Sequence, residues 1–117
     1  MTRPMTEALI DSHDAALFDL DGVVYLGSEV VPAAPATMSR LRARGVGVGF
    51  VTNNAARATT VVADQLTDMG IPAAPSDVVS SAEAVTALVA TELGQGTRVL
   101  IAATSNVDDL ARKRGLV

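Results

Sequence analysis

Cysteine and tryptophan are both absent from this 117-residue chain, and aromatic residues make up 3% of it. Without a thiol there can be no disulfide framework and no thiolate metal site, and the default expectation is a reducing, cytoplasmic setting. Lysine occurs once, at Lys113, and histidine once, at His13. A solitary histidine with no cysteine or second imidazole nearby reads as a surface residue rather than a ligand. The net charge is −4 and no cluster of basic residues occurs, which argues against nucleic acid and anionic membranes as partners. No apolar run approaches the roughly 20 residues that a membrane helix needs, and the first residues lack the apolar core of a signal peptide.

What is present suffices for one domain. An apolar fraction of 49% can fill a core in a chain of this length. Residues 1–14 mix charge, Pro4 and polar side chains without a sustained period, so a loose tail with a helical turn near Met5 to Ile10 is expected. Ala15 to Phe18 is a short apolar run of the kind covered on both faces in a parallel sheet, and it stops at Asp19-Leu20-Asp21-Gly22. Two acids one residue apart point to one side of an extended chain. At the carboxyl end of a parallel strand, both can face one crevice and bind a divalent cation. Gly22 permits the sharp turn that keeps the backbone close to a small anion. A calcium loop also uses Asp-x-Asp-Gly, but aligning Gly22 with the loop glycine puts Leu17 at the first ligand position and Ser28 at the last. A plain strand end with solvated acids is the other ordinary reading.

Further along, 23–31 has the glycine and β-branched content of a small hairpin over the crevice. Pro32 opens a helix over 33–44, with Ala36, Met38 and Leu41 near one stripe and Gly45 at its end. A second strand over 46–51 leads into Thr52-Asn53-Asn54. A helix over 58–69 turns Val61, Val62, Leu66 and Met69 inward. Asp77 to Val79 is a brief extended piece, and Ser81 caps a helix over 82–93 with Ala84, Val85, Leu88 and Val89 inward. Thr97 to Ala103 reads as a third strand, and Asn106 to Arg114 as a last short helix. The order predicts an α/β fold: a partial doubly wound, Rossmann-like parallel sheet of three strands with covering helices.

Asp19-Leu20-Asp21-Gly22-Val23 resembles the nucleophile motif of the haloacid dehalogenase superfamily of phosphatases, Asp-x-Asp-Gly-Val/Thr after an apolar strand. Thr52-Asn53-Asn54 resembles that family's second motif, and Val78-Val79-Ser80-Ser81-Ala82 the lead into a following helix. Together they are similar to subfamily IIA, which contains p-nitrophenyl phosphate, phosphoglycolate, glycerol-3-phosphate and nucleotide phosphatases. The resemblance covers about residues 15 to 116. It implies Asp19 as the nucleophile that takes the phosphoryl group and Asp21 as the general acid and base. Thr52 would hold a phosphoryl oxygen, and Gly22, Asn53, Asn54 and Arg57 would line the phosphate or substrate site. Magnesium would sit on Asp19 and Asp21. The substrate implied is a small phosphorylated metabolite.

Two features depart from the family pattern. Many relatives have a glycine after the strand that 99–106 matches. They also need a strand-end lysine and a later acidic motif, both beyond a large cap domain. Lys113 lies in a terminal helix, and Asp108 and Asp109 read as solvated charges. The expectation is therefore the amino-terminal half of a phosphatase core at residues 15–117, without cap or carboxy-terminal half and inactive by itself. A non-catalytic remnant that binds phosphate or a partner is the alternative, and a phospho-acceptor switch domain would need a strand-end lysine. The first strand, lacking a partner on one side, would leave an open sheet edge through which the chain self-associates.

Overall fold

The structure, a computed structural model, describes residues 8–117. A 3₁₀ turn at Leu9–Ser12 precedes β1 (Ala15–Asp19), and a hairpin of β2 (Tyr25–Leu26) and β3 (Glu29–Val30) follows it. Then come α1 (Ala34–Ala43), β4 (Gly47–Thr52), α2 (Thr59–Asp68), β5 (Val78–Ser80), α3 (Ser81–Leu93) and α4 (Ser105–Lys113). The helical turn expected near Met5 to Ile10 falls largely outside the described residues. No helix among the described residues is long and apolar enough to cross a membrane.

The main sheet is parallel in the order β1-β4-β5, with Asp19 opposite Val51 and Thr52 opposite Ser80. The expected α/β class and three-stranded parallel sheet are present, and β1 is an edge strand of it. The third strand, however, is β5 rather than Thr97 to Ala103. Among the described residues that segment has no ladder beside it, and its backbone is tied to the chain end through Val99 N–H to the Val117 carbonyl at 2.6 Å and Val117 N–H to the Thr97 carbonyl at 2.9 Å. An apolar run reports extended backbone, whereas a strand also requires a neighbour. The place beside β4 is taken by Val78–Ser80.

Strand periodicity sorts the side chains between two faces. Phe50 and Val78 point into the core, with Phe18 and Val48 packed against it. There they meet Ala34 and Met38 of α1 and Val62, Ala63 and Leu66 of α2, together with Leu20, Val24, Tyr25 and Ile71. The opposite face carries Leu17, Val51 and Val79, which are exposed. The expectation that the first strand is covered on both faces is thus not met. β1 alternates between exposed and half-buried, because the helices that bury it lie on one side.

The helix faces show a similar correction. In α1 Met38 is buried while Ala36 is exposed, and in α2 Val62 and Leu66 are buried while Val61 is exposed. α3 departs furthest, burying Ala82 and Thr86 and leaving Ala84, Val85 and Leu88 exposed. The cause is its contact with α4: Arg114 just beyond α4 donates from Nε to the Thr86 hydroxyl at 3.1 Å and from its guanidinium to Glu83 at 3.1 Å. The cap of α3 is Ser80, not Ser81. Ser80 is buried and its hydroxyl accepts the Glu83 N–H at 3.2 Å.

Candidate active site

The carboxyl ends of β1, β4 and β5 open into one cleft of about 400 Å³, lined by Asp19, Val51, Thr52, Asn53, Val79, Ser80, Ser81 and Ala84. Parallel strands deliver their last residues to one edge, where ligands of open α/β sheets bind. Asp19, the final residue of β1, is exposed there, and one of its carboxylate oxygens accepts the Leu20 N–H at 3.0 Å. The other oxygen has no such bond among the described residues, and it is exposed to an electrophile or a cation.

After Asp19 the chain turns sharply. The Leu20 carbonyl accepts N–H groups from Val23, Val24 and Tyr25 at 3.1, 2.8 and 3.2 Å, and the fully buried Leu20 side chain pins the turn. Gly22 sits at φ +90°, a conformation that an L side chain rarely adopts, and donates its N–H to the Tyr25 carbonyl at 2.7 Å. Asp21 is exposed on this turn and does not line the Asp19 cleft. The two acids are not aligned by an extended strand, because the strand ends between them.

Thr52 closes β4 beside β1. Its hydroxyl oxygen accepts the Asn54 N–H at 3.1 Å, which leaves the hydroxyl proton free to donate into the cleft. Asn54 in turn accepts the Ala56 N–H on its side-chain oxygen at 3.0 Å. Arg57 is half-buried and lines a separate cleft of about 460 Å³ with Ser28, Val61, Asp64, Gln65, Asp68 and Met69. Of the residues expected at the site, Asp19, Thr52 and Asn53 therefore share one cleft, while Asp21, Gly22, Asn54 and Arg57 lie outside its lining.

Two features escaped the reading of the sequence. Ser80 and Ser81 add hydroxyls to the cleft, and the Ser81 hydroxyl donates to the Asn53 carbonyl at 3.1 Å. Paired serines at the end of an apolar strand are the signal that could have found them. Asn106 donates to the carbonyl of Ala55 at 2.7 Å, a contact across 51 positions that no local pattern announces.

Magnesium favours hard oxygen donors and is commonly held by one or two carboxylates together with water and substrate oxygens. The carboxylates of Asp19 and Asp21 fit that donor type. Among the described residues, however, no group of three or more His, Cys, Asp and Glu is placed to hold a metal.

A partial parallel α/β sheet with an acid and a hydroxyl at adjoining strand ends defines a Rossmann-like core with a strand-end cleft. The family model described as haloacid dehalogenase-like hydrolase matches residues 16–117, and the chain belongs to that family. It is 40% identical over 98 residues to the D-glycerol 3-phosphate phosphatase of Mycobacterium tuberculosis, covering 84% of this chain and 27% of that protein. The crystal structure of a glycerol phosphate phosphatase from the same organism, in complex with magnesium, superposes with a TM-score of 0.81 at 39% identity, over 91% of this chain and 32% of that one. A 4-nitrophenylphosphatase from Thermotoga maritima shares the fold with a TM-score of 0.85 at 22% identity, over 95% of this chain and 42% of that one. The chain thus spans well under half the length of these relatives.

Proposed function

We propose that this chain carries the nucleophile-bearing part of a magnesium-dependent phosphatase that hydrolyses a small phosphomonoester of the glycerol 3-phosphate kind through an aspartyl-phosphate. The observation that carries the reading is the meeting of Asp19 and Thr52 in one cleft at adjoining strand ends. The free Asp19 carboxylate oxygen attacks phosphorus, and the bond from phosphorus to the alcohol oxygen breaks. Asp21 supplies the proton that the leaving alkoxide takes up. Water then attacks the phosphoryl group while Asp21 accepts its proton, the bond between Asp19 and phosphorus breaks, and inorganic phosphate leaves. The Thr52 hydroxyl donates to a phosphoryl oxygen, and its orientation is fixed beforehand by the Asn54 N–H. A bound magnesium ion would be held at Asp19 and Asp21 by the Asp19 carboxylate and a backbone carbonyl, which leaves the Asp21 carboxyl to carry the proton, and would supply charge neutralisation for the transferring group. In this reading Asn53, Asn54, Gly22 and Arg57 complete the substrate-binding surround, and the setting is cytoplasmic.

The alternative is a phosphate- or partner-binding remnant without catalysis. It is favoured by the position of Lys113, the sole lysine, at the end of α4 rather than at a strand end, and by the small number of gathered acids. Asp19→Asn decides between them. In a longer protein that carries this segment, the substitution abolishes both turnover of p-nitrophenyl phosphate and borohydride-trappable phosphoenzyme, while Asp21→Asn slows turnover by at least about a hundredfold. Turnover that survives Asp19→Asn unchanged refutes the nucleophile assignment. In the 117-residue chain alone, activity near background is expected.

A further inference from the structure

The loop that follows β4, residues 53–58, is held in place by side chains that are remote in sequence. Ser81, the first residue of α3, donates its hydroxyl to the Asn53 carbonyl at 3.1 Å. Asn106, in the first turn of α4, donates its amide nitrogen to the Ala55 carbonyl at 2.7 Å and to the Arg57 carbonyl at 3.4 Å. A carboxamide nitrogen carries two protons, so one side chain can serve both carbonyls.

These contacts set the direction of the loop backbone. Three alternate carbonyls, at 53, 55 and 57, are drawn toward the starts of α3 and α4. In a planar trans peptide the C=O of one residue and the N–H of the next point in opposite directions. The N–H groups of Asn54 and Ala56 are consequently turned away from those helices. There they meet the Thr52 hydroxyl at 3.1 Å and the Asn54 side-chain oxygen at 3.0 Å. The bond from Asn54 N–H to Thr52 is the one that fixes which way the Thr52 hydroxyl proton can point.

We propose that Asn106 is a positioning residue: it fixes the backbone of the loop at 53–58 and, through the Asn54 N–H, aims the Thr52 hydroxyl at an oxyanion in the Asp19 cleft. The second clause rests on the phosphate reading above, whereas the first stands on the hydrogen bonds alone. Asn106 is not among the residues that line the cleft. Its half-buried amide acts across the interior from a different helix.

The test uses the 117-residue chain, the near-isosteric Asn106→Asp, which removes both donors, and the surface control Asp109→Asn on the same helix. Hydrogen–deuterium exchange read by mass spectrometry should show the peptide that spans 53–58 exchanging at least about fivefold faster in Asn106→Asp, with β4 and α3 peptides and the melting temperature unchanged. Equilibrium dialysis of inorganic phosphate should show affinity weakened about five- to tenfold in the same variant and unaltered in the control. Asn106→Ser, which keeps one shorter donor, should fall between the two and serves as the deciding variant if Asn106→Asp unfolds. Loop exchange unchanged in both Asn106 variants overturns the proposal, as does a loosened loop with phosphate affinity intact. If the parent chain takes up no phosphate, the second clause of the proposal fails for this chain, and the exchange measurement decides whether Asn106 holds the loop.

Discussion

The two faces of the sheet are made by the same strands and have opposite surroundings. On one, Phe50 and Val78 are buried and Phe18 and Val48 are packed beneath α1, α2 and the hairpin. On the other, Leu17 is 73% exposed, Val79 48% and Val51 37%. Since alternate residues of one strand serve alternate faces, the contrast owes nothing to strand composition and everything to where the helices pack. Asp19 belongs to the register of the bare face, two residues beyond Leu17. Stability is therefore lodged on the covered side, and the proposed chemistry lies at the margin of the uncovered one.

Substitutions on the two faces should separate most sharply at Phe50 and Leu17. Phe50→Ala, at a side chain 1% exposed, should cost about 3–5 kcal/mol in urea unfolding, while Leu17→Ala costs less than about 1 kcal/mol. Equal losses would break the contrast. At the cleft, Thr52→Val should lower kcat/KM by the equivalent of about 1.5–3 kcal/mol in a longer protein that carries this segment, with Thr52→Ser retaining most activity. Identical kinetics for the two would make Thr52 a loop residue only. Ser80→Ala removes the cap of α3 and should destabilise by about 1 kcal/mol, measured by thermal unfolding. A neutral result would mean that Ser80 matters for the cleft alone. The smallest change in stability, within about 0.5 kcal/mol, is expected of Leu17→Lys. Light scattering should nonetheless show the parent chain self-associating and this variant less so, because a charge on an edge strand opposes pairing with another chain. A monomeric parent chain would remove the argument from the open edge of β1.

Much of this architecture was legible in the residues. The acids after Phe18, the hydroxyl and amides after Val51 and the glycine stops marked strand ends and helix ends, since those signals are local. The failures were all questions of neighbours. Thr97 to Ala103 has the composition of a strand, yet among the described residues no strand pairs beside it, and its Leu100 is 94% exposed. Val85 and Leu88 form an apolar stripe on α3, but the face that packs is chosen by Arg114 reaching Thr86 and Glu83. At the site, Asp19 and Thr52 were placed by the parallel register, which follows from strand order. Asp21 and Arg57 lie one turn and one loop further on, where the backbone path depends on Leu20 burial and on the Asn106 bonds.

Gly49 sits across the ladder from Leu17, and a Cβ there would come within 2.9 Å of the Leu17 side chain. The bare face accordingly has no side chain at that position beside the strand that ends in Asp19. A body laid over that face would remove water from Leu17 and from the nearby carboxylate together, and the field that a neighbouring charge exerts on Asp19 would grow as water is excluded. The absence of a side chain at Gly49 thus leaves the bare face beside β1 to Leu17, whose own side chain stands two residues before the acid.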